Sequence, residues 1–283
     1  MNRASIKLLQ LLNWLFFLAM IFVNYLSNAL PINGKTAGQL SDQYPNLFVP
    51  APVTFSIWGV IYLLLLVFCV KQSKSFFSKS TDPTTADVVS AVGVRFIVAC
   101  VLNVLWLLSW HYEYLLFSVF VMTLYLAQLI NLNLSINRVA PFLSAGSRFV
   151  VKAAFGVHLG WICIATIANI TAALVGFGWD GWGQSNVFWA SIMALTGATI
   201  AGLALNKLKN GYLGVAVLWA LVGILIARIG AAEYHRFIVW SVVFSMGIVG
   251  LFLIIEITRS LFRKSETKPI VVLPTPAATE TLR

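Results

Sequence analysis

Long apolar stretches separated by short polar segments dominate the hydrophobic pattern of the chain. Each stretch holds at least 18 residues, and an α-helix needs roughly 20 apolar residues to cross a bilayer. Only His111, Tyr112 and Glu113 separate the third stretch from the fourth. That spacing predicts a tight helical hairpin, since about 40 residues are too many for one crossing. The pattern predicts eight spans, at 8–30, 52–70, 94–111, 113–135, 149–174, 187–206, 212–230 and 236–258.

The composition restricts the class of protein further. Apolar residues make up 60% of the 283 residues and charged residues only 10%, whereas soluble domains average roughly 45–50% and about 25%. A soluble enzyme, a disordered chain and a secreted disulfide scaffold are thereby excluded. The fold class that remains is an all-α polytopic membrane helical bundle of about eight transmembrane helices.

Basic residues indicate the orientation of the chain. The net charge is +10, which would suggest nucleic acid in a soluble chain, but here the excess lies in the loops. If the N-terminus is cytoplasmic, sixteen Lys and Arg residues fall on the cytoplasmic side and three, Lys35, Arg228 and Arg236, on the other. This asymmetry predicts a multi-pass protein of the cell membrane with both termini in the cytoplasm. Residues 1–29 also resemble a signal peptide, whose cleavage would leave the other seven spans as they are.

The segments between the spans carry further predictions. Composition favours a short helix from Thr36 to Tyr44, within the 31–51 segment on the outer side. The Ser- and Thr-rich 72–93 segment is expected to be a flexible linker, and the Pro- and Thr-rich tail at 265–283 is expected to be disordered.

Uncharged polar residues lie inside several spans, whereas Asp, Glu, Lys and Arg avoid the middle of every span. Ion-coupled carriers usually place an ionisable group at mid-depth, so coupled transport is disfavoured and a path for a neutral solute is not. Asn103, His158 and Asn169 either form interhelical hydrogen bonds or line a pocket. As an axial ligand of a haem-type metal, His158 would also need an open cavity beside it.

Aromatic residues are the second candidate feature. The chain has ten tryptophans, several of which suit a membrane-interface belt. Phe55, Trp58 and Tyr62 stand at i, i+3 and i+7 and therefore share one helix face. Such a stripe either packs against another helix or forms a wall for a flat hydrophobic ligand. Neither a catalytic motif nor a metal-ligand spacing accompanies it.

Three motifs in three spans resemble those of the translocator protein family, also called tryptophan-rich sensory proteins (TspO/MBR). The second span reads PAPVTFSIWGVIY over 50–62, with prolines at the helix start and then Trp followed four places on by Tyr. The third span carries NVLW at 103–106 and the fifth carries WICIATIAN at 161–169. The resemblance covers about residues 8–174 and includes features of a longer bacterial-type form.

The resemblance implies a five-helix fold whose cavity opens beneath the first loop and binds porphyrins, steroids or similar apolar ligands. Val157 and His158 stand where family members carry Pro-Tyr, and the family's loop Trp and Lys-Pro pair are absent. We therefore expect a TspO-like five-helix membrane domain at 1–174 and three additional transmembrane helices at 175–264, followed by the tail.

These observations lead to three hypotheses about function. The first is a non-enzymatic membrane sensor or binding protein for a planar hydrophobic ligand, porphyrin- or steroid-like, with a tetrapyrrole as the ligand that the resemblance suggests. The second is a facilitative transporter of a small neutral or amphipathic solute, and the third is an enzyme that degrades tetrapyrrole. The expected partners are the lipid bilayer and a hydrophobic small molecule, with no nucleic acid, and the chain could form a homodimer. The predicted ligand-binding residues are Phe55, Trp58, Tyr62, Asn103, Trp106, Trp110, His158, Trp161 and Asn169.

Overall fold

The computed structural model describes residues 2–76 and 83–265 as a bundle of helices. All regular elements in these residues are helical, and eight helices are long and apolar enough to cross a membrane. The predicted all-α polytopic membrane bundle is thereby confirmed. Within the described residues the α-helices are α1 (Arg3–Ala29), α2 (Ala37–Asp42), α3 (Ile57–Gln72), α4 (Pro83–His111), α5 (Leu115–Val139), α6 (Ala145–Gly176), α7 (Asn186–Leu208), α8 (Gly211–Ile229) and α9 (Arg236–Ser265).

Polar side chains define where several helices begin. Asn2, Ser144 and Ser185 precede α1, α6 and α7, and each side chain accepts a hydrogen bond from the backbone N–H three residues further on. These bonds satisfy N–H groups that have no partner inside the helix. The connection between α4 and α5 is only residues 112–114, so the predicted tight hairpin is confirmed.

The 72–93 segment differs from its prediction as a flexible linker. Helix α4 already begins at Pro83, so that prediction is wrong for residues 83–93. Val88, Val89 and Val92 are 7%, 0% and 1% exposed, and this apolar stripe packs the extra turns onto the bundle. The stripe was not recognised in the sequence, because Ser and Thr residues lie on both sides of the valines. Residues 77–82, and the predicted tail at 265–283 apart from Ser265, lie outside the described residues.

Helix α6 lies at the centre of the bundle. It packs against α3, α5 and α8, while α4 packs against α1 and α5. Helices α7, α8 and α9 pack against one another, and one buried apolar cluster extends through both groups. The last three helices therefore meet the rest of the bundle mainly where α8 lies along α6.

Two glycines make the contact between α6 and α8 close. A Cβ atom at Gly160 would lie 2.3 Å from the carbonyl oxygen of Leu213 and 2.9 Å from the Cβ of Ala216. One at Gly156 would lie 2.5 Å from Nδ2 of Asn210. Small residues of this kind allow the backbones of two membrane helices to approach each other directly.

Helix α8 also holds the start of α3. The backbone N–H of Ala51 donates to the carbonyl of Gly223 at 2.9 Å, and Nε1 of Trp219 donates to the carbonyl of Thr54 at 2.9 Å. A Cβ at Gly223 would lie only 1.9 Å from Oγ1 of Thr54. The helical turn Pro52–Ser56, which leads into α3, is therefore fixed by a helix that comes much later in the chain.

Residues 31–51, which we call the cover segment, close one end of the bundle. Thr36 caps α2 through reciprocal hydrogen bonds with Gln39, so the predicted short helix is confirmed. Leu40 of α2 is fully buried against Trp110. The Asn33 side chain donates to the carbonyl of His111 at 3.0 Å. The cover segment thus rests on the end of α4.

Candidate ligand-binding site

Trp58 lies at the centre of a cluster of aromatic side chains between α3, α4 and α6. Its ring stacks on Tyr62, with centroids 5.5 Å apart, and on Trp106, with centroids 6.3 Å apart. His158 and Trp161 of α6 meet the ring edge-on, at 6.1 and 6.2 Å. Stacked and edge-on arrangements at these distances are the ones that aromatic rings favour.

Phe55 extends this group of rings toward the start of α3. Its ring meets Trp161 edge-on with centroids 5.8 Å apart. His158 and Trp161 are buried, whereas the rings from α3 and α4 are only partly buried. The group therefore has a buried wall on α6 and a more accessible wall opposite it. We call these side chains the aromatic cluster: Phe55, Trp58, Tyr62, Trp106, His158 and Trp161.

Asparagines hold two of these rings in place. Nε1 of Trp106 donates to Oδ1 of Asn169 at 3.1 Å. The hydroxyl of Tyr62 donates to Oδ1 of Asn24 at 2.6 Å, and Nδ2 of Asn24 donates to Oδ1 of Asn103 at 2.7 Å. Hydrogen bonds between membrane helices contribute roughly 0.6–2 kcal/mol each. Asn103 and Asn169 therefore fix the orientation of Tyr62 and Trp106.

Two buried nitrogen atoms of the aromatic cluster have no hydrogen-bond partner in the part of the chain that the structure describes. They are Nε1 of Trp161 and Nδ1 of His158, which come from residues one turn apart on α6. An indole N–H can only donate, and a buried donor without an acceptor costs about 1–3 kcal/mol. Such atoms are uncommon in folded proteins and call for an explanation. A polar group on a bound ligand would supply the missing partner.

The imidazole of His158 is already engaged on one side. Its Nε2 forms a short hydrogen bond with the hydroxyl of Tyr125. Only Nδ1 remains to bind a metal of the haem type. Among the described residues no group of three or more His, Cys, Asp and Glu side chains could hold a metal ion on its own.

Trp110 lies beneath the cover segment rather than beside Trp58. Its Nε1 donates to the carbonyl of Ala37 at 3.3 Å, and its ring lies 6.0 Å from that of Tyr44. Trp106 and Trp110 are four residues apart on α4, so one helix face runs from the aromatic cluster to the cover segment. The structure thus brings eight of the nine predicted residues together directly or through Asn24, and places the ninth as a support of the cover.

Glu113 joins the cover segment to the turn between α4 and α5. Its carboxylate accepts hydrogen bonds from Nζ of Lys35 and from the hydroxyl of Tyr44, each at 2.9 Å. The bond from Lys35, followed by that from Tyr44, lowers the pKa of Glu113. Partial burial, together with the bond to Glu113, raises the pKa of Tyr44. This contact lies at the surface, since the Glu113 side chain is 36% exposed.

The predicted site residues did not include three hydrogen-bond partners of the site: Asn24, Ser118 and Tyr125. Ser118 accepts from Nδ2 of Asn169 at 3.0 Å. Tyr125 is fully buried in α5, and a buried tyrosine hydroxyl usually needs a partner. That rule could have singled out Tyr125 in the sequence, but the helix that supplies its partner is visible only in the fold.

Comparison with protein-family models identifies the family of the chain. Residues 10–255 match the model of the family described as TSPO-like protein. The matched range continues past residue 174 through α7 and α8 and into α9. Comparisons with curated proteins and with solved structures gave no match. Because the family match covers most of the 283 residues, the chain belongs to the TSPO-like protein family, as the motifs in its second, third and fifth spans predicted.

Proposed function

We propose that the protein is a membrane sensor or binding protein for a planar hydrophobic ligand, porphyrin- or steroid-like, and that it is not an enzyme. The ligand site is the aromatic cluster, supported by Asn103, Asn169 and Trp110. Membership of the TSPO-like family supports this class of function. The single observation that carries the proposal is the pair of unpartnered nitrogens, Nε1 of Trp161 and Nδ1 of His158, beside stacked aromatic rings.

The rings suit the faces of a flat ligand and the nitrogens suit its polar edge. Burial of apolar surface contributes about 25 cal/mol per Å², so stacked rings supply most of the binding free energy. Trp58 fills the space between Tyr62 and Trp106, and we expect its partly exposed ring to turn aside when a ligand enters. A carbonyl or carboxylate oxygen of the ligand then accepts from Trp161.

The same geometry offers a route for a signal. A ligand beside Trp106 would displace the face of α4 that also carries Trp110, and Trp110 holds α2 through its bond to Ala37. Binding would therefore change how firmly the cover segment rests on the bundle. A sensor needs such a link between its ligand site and a surface element.

A titration of the purified full chain with protoporphyrin IX, followed by its absorption and by tryptophan fluorescence, tests the ligand site. We expect saturation near one ligand per chain. We expect Trp58→Ala to weaken binding by up to about tenfold, because the contact between the Trp58 ring and the ligand, worth about 0.5–1.5 kcal/mol, is lost. Trp240→Ala is the matched control, since this indole is 68% exposed on α9. Unsaturable uptake that is equal in all three proteins would mean that the porphyrin only dissolves in the detergent.

Flux measurements separate a sensor from a facilitative transporter. Proteoliposomes that contain the protein should bind protoporphyrin and a labelled steroid without moving either across the membrane faster than protein-free vesicles do. Saturable flux that Trp58→Ala abolishes would replace the sensor with the transporter. Loss of the porphyrin absorption with time in the presence of the protein would instead support an enzyme.

We also propose that both termini face the cytoplasm of a cell membrane, on the strength of the positive-inside asymmetry. Phe142 and Trp182 lie on opposite ends of the bundle and are 78% and 75% exposed. A membrane-impermeant maleimide should label Trp182→Cys on intact cells and Phe142→Cys only after permeabilisation. The opposite labelling order would reverse the orientation.

A further inference from the structure

A small cleft lies at the end of the bundle opposite the cover segment, where α3 ends and α4 and α6 begin. The empty space between its walls, including the open mouth, is about 290 Å³. Phe68, Val88 and Val151 form an apolar floor, and polar side chains from the three helices form the rim. The cleft therefore suits a small polar group that is attached to, or lies above, something apolar.

The rim of the cleft is electrostatically positive. Lys71 reaches the first turn of α6, where its Nζ lies 3.2 Å from the position that a Cβ on Gly146 would take. Thr84 from α4 and Ser147 from α6 contribute hydroxyl groups. Neither helix has an acidic residue in its first turn, and none of the residues that line the cleft is acidic. Helix N-termini carry partial positive charge and free N–H groups, which favour anions.

A buried amide at the cleft has a donor without an acceptor. Gln72 is 3% exposed and lines the cleft. Its Oε1 accepts from Nδ2 of Asn13 on α1 at 2.8 Å, which fixes the amide with its nitrogen on the side away from that bond. No acceptor for Nε2 is found among the residues that the structure describes. An anion in the cleft would provide this acceptor.

We propose that the cleft binds a phosphate group, carried either by the headgroup of an anionic phospholipid or by a soluble phosphate. The ammonium of Lys71, the amide of Gln72 and the start of α6 approach the same small space, and each carries N–H groups that an anion would accept from. Basic pockets between transmembrane helices on the cytoplasmic side of membranes bind the headgroups of anionic lipids. The site is separate from the aromatic cluster, and it stands whether or not the proposed sensor function is right.

Native mass spectrometry of the full chain, released from nanodiscs of equal phosphatidylglycerol and phosphatidylcholine, tests the proposal. We expect retention of phosphatidylglycerol in preference to phosphatidylcholine. Lys71→Gln should lower that retention about tenfold. Lys74→Gln is the matched control, because it removes the same charge three residues away at an exposed position that does not line the cleft. It should behave as the wild type.

Two soluble probes distinguish the sources of the phosphate. Displacement of the lipid by inorganic phosphate or glycerol 3-phosphate would identify a soluble phosphate as a ligand, and failure to displace it would identify the lipid headgroup. Equal loss of retention in Lys71→Gln and Lys74→Gln would overturn the site in favour of diffuse surface charge. If the wild type shows no preference for phosphatidylglycerol and neither soluble probe binds, the proposal is also overturned.

Ser147→Ala is a second variant that tests the same site if Lys71→Gln does not fold. This change removes a rim hydroxyl but keeps the cap of α6, because Ser144 accepts from the backbone N–H of residue 147. Retention of phosphatidylglycerol should fall several-fold in this variant. Retention equal to that of the wild type would count against a phosphate at the start of α6.

Discussion

The two sides of α6 are built in opposite ways. One side carries His158, Trp161 and Asn169, and the other carries Gly156 and Gly160, roughly half a turn around the helix. The glycine side leaves no room for a Cβ, because Gly160 lies against the α8 backbone at Leu213 and Gly156 lies against the Asn210 side chain. The aromatic side holds large rings, some of them partly exposed, and two nitrogens that have no partner within residues 2–76 and 83–265.

The two sides of α6 therefore have different roles. The glycine side packs against α8, and the aromatic side carries the proposed ligand site. The glycine side is specialised for close packing, with the Asn210 side chain as its polar contact. The aromatic side keeps buried polar atoms that no group among the described residues satisfies, and these are the atoms that a ligand of the proposed kind would bind. Buried polar atoms are a better guide to a binding site in a membrane bundle than hydrophobicity, because every face of such a helix is apolar.

The largest expected effect is on the glycine side. Gly160→Leu would drive a side chain into the carbonyl of Leu213, which belongs to the α8 backbone and cannot turn away. Overpacking of a well-packed core costs typically about 1–3 kcal/mol, and we expect at least the upper value here. The fraction of folded, monodisperse protein and its midpoint of thermal unfolding should both drop.

Gly59→Leu is the matched control for that variant. A Cβ at Gly59 on α3 would meet nothing within 4 Å, so we expect near wild-type behaviour. If the two variants lose the same amount of stability, the contact between α6 and α8 is not specially close.

A smaller and different effect is expected when the N–H of Trp161 is removed. Trp161→Phe deletes a donor that has no acceptor in the described chain, so it should lower the affinity for protoporphyrin about tenfold, a loss of roughly 1.4 kcal/mol. In the free protein, Trp161→Phe loses packing contacts but also removes a buried donor that has no acceptor in the described chain. The second change should offset part of the stability that the first one costs.

Trp219→Phe should have the opposite result: a loss of stability without a loss of affinity. Its indole N–H donates to the carbonyl of Thr54 at 2.9 Å, and loss of that bond should cost about 1 kcal/mol of stability with little change in affinity. Chemical unfolding and porphyrin titration of both variants sharpen the comparison. Parallel changes in stability and affinity for the two variants would contradict it.

The smallest expected effect is that of pH on the stability of the cover segment, which Glu113 holds through Lys35 and Tyr44. The folded-state pKa of Glu113 is lowered, so its contact stabilises the cover above the unfolded pKa. That stabilisation is lost as the pH falls through the folded pKa. A surface contact of this kind is worth about 0–1 kcal/mol and weakens with salt.

Hydrogen exchange over residues 31–51 measures this effect directly. After correction for intrinsic rates, exchange should speed up in acid in the wild type, whereas Glu113→Gln should exchange faster than the wild type already near neutral pH and respond little to acid. The amides where α6 meets α8 serve as the reference, and we expect no such response there. A response of equal size in Glu113→Gln would assign the pH dependence to other groups.

Much of the fold could be predicted from the sequence, because each membrane span is recognised from one continuous run of apolar residues. Every predicted span corresponds to one of the eight long helices, since a run of about 20 apolar residues is typical of a membrane-spanning helix. The start of α4 was missed because Val88 and Val92 sit among Ser and Thr residues. Their burial depends on neighbouring helices that a local pattern does not reveal.

The site was predictable in its residue types but not in its connections. Phe55, Trp58 and Tyr62 share a face by spacing alone, so their proximity follows from the sequence. That Tyr125 engages His158, or that Asn24 bridges Tyr62 and Asn103, depends on which helices become neighbours. The displacement of Trp110 from Trp58 to the cover segment depends likewise on where α2 comes to rest.

The bond between Trp219 and Thr54 also has a consequence for biosynthesis. Its two residues are 165 positions apart, and a ribosome delivers the chain from its N-terminus at roughly 5–20 residues per second. When the last ring of the aromatic cluster has been translated, α8, which holds the turn Pro52–Ser56 before α3, has yet to be made. The nascent protein therefore passes through an interval in which every ring of the aromatic cluster has been translated but the turn that carries Phe55 has not yet been bonded to α8.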